Sequence, residues 1–546
     1  MGMPRRATRA AWARGTLAGA AATFVLIALG CQQPTGSSPT GSPSASPSAS
    51  PPASPASPAS PSASAPGKAP SAPPRTIPSV REFDPGTGSG WRPGHHSRVV
   101  ADLNGPLADE ARMIADELDI HAVSGKAHRG DLSLALNPGQ SGGREGYTLT
   151  VKNGSARITA AADTGVFYGT RTVKQALRSG DRVPAGVIHD RPARAQRGLN
   201  LDIARKFYTA SWIEARLREM ADLKLNQLGL HFSDDQGFRI QSSSHPEIVS
   251  QQHLTKAEVR RIIALAQRLH ITVVPEIDSP GHLGAVIDAH PQLQLRNASG
   301  TRFQGSVDIS KPAAAQIVDE LMREYAPLFP GRYWHLGADE YLALTVKDPQ
   351  ASFPQLAAAA EREYGSRAKV QDLATGWLND RAAVARELGK QPKAWNDGFF
   401  AGGVVTPDRN IQAEYWTGRL KWPARQPEEY LHEGRKLVNL NSEYLYYVLG
   451  EPNGFLYPTG ERIYEQWTPG TLRGTKPVAD KKLTGPDRVL GARFAIWSDQ
   501  PGAQTQAQVA KGVRLPLAAL AQRLWDPGKP PLSWGDFTKL ADRLGV

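Results

Sequence analysis

One cysteine in 546 residues leaves no partner for an intramolecular disulfide, so a buried core must hold the fold. No HExxH run or other short metal-ligand motif is present. Nucleophilic serine or cysteine catalysis lacks its signature as well. The glycine-rich turn that often accompanies doubly wound nucleotide-binding sheets is also missing. Lysine and arginine outnumber the acids by 64 to 52, a formal charge of +12, but they are scattered rather than gathered into runs. Such a surface suits anionic envelope polymers. No nucleic-acid motif accompanies it, and no nucleic-acid partner is expected. The apolar stretch ending in "FVLIALGC" is too short for a comfortable membrane span.

That stretch reads as part of a targeting signal. Arg5, Arg6, Arg9 and Arg14 form a basic leader, followed by small and apolar residues and a small-residue exit. Residues 1–30 are expected to be a signal peptide. "ALGC" resembles the bacterial lipobox, although Ala28 stands where leucine is usual. The resemblance implies cleavage before Cys31 and a lipid thioether on it; an ordinary signal with an incidental cysteine is the alternative. Residues 31–90 open with proline, serine and alanine and almost nothing apolar, which predicts a disordered stalk. The layout predicts an exported protein tethered to the cell membrane by its lipid alone, with its working domain extracellular.

Residues 91–190 read as a small α/β domain. "DLSLALN" and "GYTLTVKNGSARITA" alternate as strands, with a hairpin turn at Asn153-Gly154, and a helix is predicted over 161–180. From 191 to 546 short apolar strands alternate with amphipathic helices. The strand candidates are "RGLNLDIA", "NQLGLHF", "ITVVPEI", "RYWHLG", "QPKAW", "IQAEYW", "KLVNLN" and "GARFAIW". Eight such units predict a (β/α)8 barrel.

Each candidate strand ends in polar or aromatic residues: Asp202 and Arg205; His231, Asp234 and Asp235; Glu276, Asp278 and His282; Asp339 and Glu340; Trp395, Asn396 and Asp397; Tyr415 and Trp416; Asn441 and Tyr444; Trp497 and Asp499. In a barrel those ends form one rim, where barrel enzymes carry their sites. Helix capping explains such residues singly; it does not explain a whole rim of them with three tryptophans. A metal could draw on His231, Asp234, His282 and Asp339, but without a ligand motif no metal or cofactor is expected. Carbohydrate chemistry fits better, since carboxylates supply acid and base while tryptophan and tyrosine faces stack on a pyranose.

At these positions the chain resembles the family 20 glycoside hydrolases, the β-N-acetylhexosaminidases. The resemblance runs through "RGLNLDIARKF", "KLNQLGLHFSDDQGFRI", "VVPEIDSPGH", "HLGADE", "AWNDG" and "AIWSD" in order. It implies that Glu340 is the general acid/base and that Asp339 orients and charge-stabilises the substrate's 2-acetamido group. It implies that Asp234 and His282 tune the acid, and that Arg205 binds sugar hydroxyls. Trp395, Trp416 and Trp497 match the aromatic walls, and Tyr444 the donor to the acetamido carbonyl. Asp499 stands where most members have a glutamate for O4 and O6. Ala338 replaces a usual glycine, a tolerable change if the strand keeps ordinary dihedrals there.

Adjacent acids such as Asp339 and Glu340 make little sense as the opposed acid and nucleophile of ordinary retaining glycosidases. They make sense if the substrate's own acetamido oxygen attacks the anomeric carbon. The expected activity is therefore retaining exo-hydrolysis of terminal β-linked GlcNAc or GalNAc from oligosaccharides or glycoconjugates. "NSEYLYYVLG", "IWSDQPGAQTQAQ" and the insert 450–489 look closest to the dispersin and lacto-N-biosidase-like subgroup. Lacto-N-biosidase-like release of Gal-β-1,3-GlcNAc is the alternative within the family, and a surface carbohydrate-binding lipoprotein the alternative outside it.

Overall fold

The computed structural model describes residues 71–416, 425–450, 454–455 and 457–546. The signal peptide, Cys31 and the stalk up to residue 70 lie outside them. Among the described residues no helix is long and apolar enough to cross a membrane.

The eight expected strands are all present: β1 (Gln196–Asp202), β2 (Gln227–His231), β3 (Thr272–Glu276), β4 (Tyr333–His335), β5 (Gln391–Trp395), β6 (Gln412–Tyr415), β7 (Leu437–Asn439) and β8 (Val489–Trp497). Each pairs in parallel with the next, and β8 closes the barrel on β1, with Gly491 opposite Gln196 and Ile496 opposite Leu201. Helices on the outside bury the strands' second face, so β1 is buried along its whole length and reads as a run rather than an alternation. The helices start where capping chemistry dictates. Thr255 accepts the Glu258 N–H while Glu258 reaches back to the Thr255 N–H, opening Lys256–Arg268 with a capping box.

The barrel axis holds charge as well as aliphatic side chains. Lys393 Nζ lies 2.9 Å from Glu414 Oε1, Arg493 pairs with the same carboxylate, and Gln196 donates to the Tyr333 hydroxyl. All of these side chains are buried; burial and the neighbouring Arg493 push the Lys393 amine well below its ordinary value, so two bases share the one carboxylate of Glu414.

The small domain is a seven-stranded mixed sheet backed by the helices Ala108–Leu118 and Asp163–Gly180. Asn153 and Gly154 make its hairpin turn with φ of 53° and 75°. The stalk ends earlier than residue 90. Glu82–Pro85 pairs antiparallel with Gly186–Asp190, Ile77 is fully buried, and its N–H donates to Gln175. The segment "RTIPSVREF" carries the few apolar side chains that the proline-rich stretch before it lacks, enough to add an edge strand. Buried polar contacts join the domain to the barrel. Arg197 pairs with Glu145 at 2.8 Å, and the Trp525 indole donates to Asp190.

Candidate active site

The site is built on the C-terminal ends of the strands. After β1, Asp202 accepts the N–H of Arg205 from its own loop and that of Ser498 from the end of β8. This fixes the Arg205 guanidinium, which pairs with Asp202 at 3.2 Å and Asp234 at 2.8 Å and lies over the Trp497 ring. Asp234, after β2, also faces His231 Nε2 at 2.7 Å and His282 Nδ1 at 3.3 Å. The far nitrogen of His282 lies 3.5 Å from Glu340 and 3.8 Å from Asp339. Asp234, His282 and Glu340 therefore form a line that ends at the expected acid.

Behind that line, Glu276 Oε1 lies 3.2 Å from both His231 and His335 and accepts the Trp395 indole N–H at 2.7 Å. Trp395 is buried, 5.8 Å from Trp497, and packs in one cluster with Trp416, Tyr446 and Trp497. The sequence assigned it to the sugar face; its indole N–H is committed to Glu276.

The two adjacent acids do not diverge as they would on a strand. β4 stops at His335, and Gly337, Ala338 and Glu340 have φ of 70°, 79° and 49°. Left-handed residues coil the chain so that Asp339 and Glu340 both line one pocket. A Cβ at Gly337 would meet Asp278 Oδ1 at 1.7 Å, so only glycine fits. Ala338 accordingly does not have the ordinary strand dihedrals expected of it, and the left-handed conformation costs about 1–2 kcal/mol at a non-glycine residue. It is held by its N–H, which donates to Asp278 at 3.0 Å, and by its close packing on Gly398. A Cβ at Gly398 would lie 2.5 Å from the Ala338 carbonyl. Gly398→Ala is expected to destabilise the protein by about 1–3 kcal/mol and to displace the acid pair, read by urea denaturation and by loss of turnover.

Four acids crowd here. Burial, then the neighbouring Asp339, pushes the Asp278 carboxyl well above the usual carboxylate range, so it keeps its proton and donates to Asp339. Burial and Asp339 hold Asp397 up in the same way; its oxygens accept the Glu340 N–H and the Trp416 indole N–H. Burial also raises Asp339. Burial would raise Glu340 too, but the hydrogen bond and charge of His282 hold it below its ordinary value. Burial lowers His282, but the charges of Asp234 and Asp339 outweigh it and lift the imidazole well above its ordinary range. Asp339 Oδ1 is buried and takes no hydrogen bond from any described protein group.

Trp416 and Trp497 line the pocket as expected, together with Arg205, His282 and, at the rim, Asp499. Tyr444 does not. Its ring lies under Arg462, outside the pocket. Strand β7 breaks at Leu440–Leu445 and resumes as Tyr446–Val448 beside the end of β8. The break puts Tyr446 on the pocket wall, stacked on Trp416 at 5.7 Å with an interplanar angle of 4°. After burial, Asp339 is the charge that most affects its hydroxyl. Asn441, also expected on the rim, instead donates to the Thr471 and Gly474 carbonyls and anchors the insert. Of the insert 450–489, Phe455 reaches the pocket. A second cleft, lined by Tyr341, Leu344, Phe399 and Phe400, shares Glu340 with the first. Asp278, His282 and Asp339 offer atoms close enough together for a cation.

Residues 195–528 match the family model for the glycosyl hydrolase family 20 catalytic domain, and residues 73–191 match domain 2 of that family. The chain is 32% identical over 481 residues to a lacto-N-biosidase of Bifidobacterium bifidum, covering 86% of this chain and 41% of that protein. It is 31% identical to a β-N-acetylhexosaminidase of Cellulomonas fimi, covering 74% of this chain and 79% of that one. The solved family 20 β-N-acetylhexosaminidase of Streptomyces coelicolor A3(2) superposes with a TM-score of 0.69 at 23% identity, over 88% of this chain and 98% of that one, a likeness of fold. With both domains matched in order and the catalytic domain covered from end to end of the barrel, the chain belongs to glycosyl hydrolase family 20.

Proposed function

We propose that this protein is a retaining glycosidase that cleaves β-linked 2-acetamido sugars from oligosaccharides or glycoconjugates by substrate-assisted catalysis. One observation carries the reading. Asp339, with a buried unpartnered oxygen, and Glu340 line the same pocket, and the other acids around them are protonated or paired. A sugar seated against Trp497 and Trp416 would place its acetamido N–H at Asp339 Oδ1 and its carbonyl near the Tyr446 hydroxyl. The acetamido oxygen attacks the anomeric carbon, Glu340 gives its proton to the departing oxygen, and Asp339 steadies the cyclic oxazolinium. Glu340 then takes a proton from the water that reopens the ring. The leaving group departs past Glu340 into the cleft of Tyr341, Phe399 and Phe400.

The protonation states predict a pH profile. Turnover needs one proton on the coupled pair, and the chemical step runs through the form that carries it on Glu340. Below the depressed Glu340 value both acids are protonated, and above the raised Asp339 value neither is. The kcat/KM curve is therefore expected to be bell-shaped. A flat profile across the carboxylate range would contradict the assignment.

A second reading concerns the size of the released unit. Asp499 is one methylene shorter than the glutamate usual in the family, which leaves room beside a terminal sugar. Phe455 from the insert adds a further aromatic face at the pocket. Together with the likeness to the bifidobacterial lacto-N-biosidase, these features support release of Gal-β-1,3-GlcNAc in place of a single sugar. Chromogenic N-acetylglucosaminide and lacto-N-bioside substrates separate the readings. Sugar binding without turnover of either would leave a carbohydrate-binding protein. Export and tethering through Cys31 complete the proposal and rest on the N-terminal sequence.

A further inference from the structure

Away from the pocket, His245, Glu247 and His290 bring three ligand atoms to one place. Glu247 Oε1 lies 3.1 Å from His245 Nδ1 and 2.9 Å from His290 Nε2, and all three atoms fall within 4.8 Å of one another. Ligands at about 2.0–2.1 Å in a tetrahedron sit about 3.3–3.4 Å apart, close to these separations. The other nitrogen of His245 faces Glu320 at 2.9 Å, and Glu320 is itself held by Gln316 at 2.8 Å. A carboxylate behind a ligating histidine is the arrangement that fixes the imidazole's tautomer and orientation in zinc proteins.

The ligands are also held in place before any ion arrives. Glu324 accepts from Ser242 Oγ, the Ser243 N–H and the Ser244 N–H, and Ser242 Oγ accepts the His245 N–H. Pro246 opens the short turn that presents Glu247. His290 ends the helix Gly284–Ala289, which begins two residues after His282. His245 is buried while Glu247 is exposed, so one side of the cluster opens to solvent.

We propose that His245, Glu247 and His290 bind a zinc ion with solvent as the fourth ligand. Two imidazoles and one carboxylate suit zinc and disfavour calcium or magnesium, which take oxygen ligands. The ion would pin the Pro246–Ile248 turn to the far end of the helix that follows His282. Its role is therefore structural, and it stands whether or not the glycosidase reading holds.

The test is a titration of the full-length, chelator-treated protein with Zn2+ by calorimetry, and with Co2+ by visible absorption. The expected result is one equivalent bound, intense four-coordinate Co2+ bands and a raised Tm with zinc. His290→Ala should abolish the bands, and Glu320→Gln should weaken zinc binding by about 10–100-fold while leaving the fold intact by circular dichroism. Absence of binding, or binding unchanged in His290→Ala, overturns the proposal. In the second case the ion sits elsewhere, with Asp278, His282 and Asp339 the next set to examine.

Discussion

Glu340→Gln is expected to lower kcat on an oligosaccharide by about 10²–10⁴-fold, with substrate affinity close to the unmodified protein's. The amide keeps the size of the side chain and can still lie beside His282, but it has no proton to give. The loss should be greatest with a sugar leaving group, whose oxygen must be protonated as it departs. A nitrophenyl substrate leaves readily as the anion, so its first step should suffer less and its ring-opening step should become limiting. Loss of affinity in step with kcat would mean that the glutamine had disturbed the pocket. Near-normal turnover would remove Glu340 from the chemistry.

Asp339→Asn should separate activity from stability. Asparagine cannot balance the positive charge of the oxazolinium, and losing one preorganised electrostatic partner costs about 10²–10³-fold in kcat. Stability should move the other way. Asp339 is raised in the folded protein by its burial and by the charges of Glu340 and Glu276, which outweigh His282 and the hydrogen bond from Asp278. A carboxyl raised on folding binds more protons when folded than unfolded, so its ionisation lowers stability as pH rises past the unfolded value. The asparagine variant is therefore expected to be more stable than the parent at neutral pH, with the difference shrinking toward pH ~4. Parallel urea titrations at the two pH values measure this. A variant that is both inactive and less stable at neutral pH would point to misfolding in place of lost chemistry.

The strand pattern was readable because parallel barrel strands are buried on both faces and appear as short apolar runs such as "ITVVPEI" and "KLVNLN". The rim was readable because function accumulates at the ends of those runs. Two features were not readable, for one reason: each depends on where a strand stops. "NSEYLYYVLG" offers three tyrosines, and which of them faces the pocket is set by a break in β7 over Leu440–Leu445 that leaves no mark in hydrophobicity. The left-handed coil at Gly337–Glu340 likewise follows from β4 ending at His335, after only three paired residues. Trp395 shows a third kind of dependence. It lies at the expected strand end, but the buried Glu276 claims its indole, a pairing between side chains far apart in sequence. The stalk boundary moved because composition averages over a window, while Ile77 and Phe83 commit the chain to the sheet residue by residue.

The charges behind the site explain its unusual acid pair. Glu276, His231 and Asp234 are fully buried and link His335 to His282, so the imidazole beside Glu340 is held charged from behind. That charge, with the hydrogen bond it accompanies, holds Glu340 below its ordinary value. Asp278 and Asp397, both neutral, hold Asp339 and the Glu340 backbone in place without adding negative charge.

The central claim is that the nucleophile belongs to the substrate, and its most direct test varies the substrate's acyl group. Using whichever chromogenic glycoside is turned over, kcat/KM is measured for the N-acetyl, N-fluoroacetyl, N-difluoroacetyl and N-trifluoroacetyl forms. Each fluorine withdraws electrons from the carbonyl oxygen, so the account predicts a steep, progressive fall in rate across the series. Equal rates across it, or a trapped glycosyl ester on an aspartate or glutamate of the protein, would contradict the account.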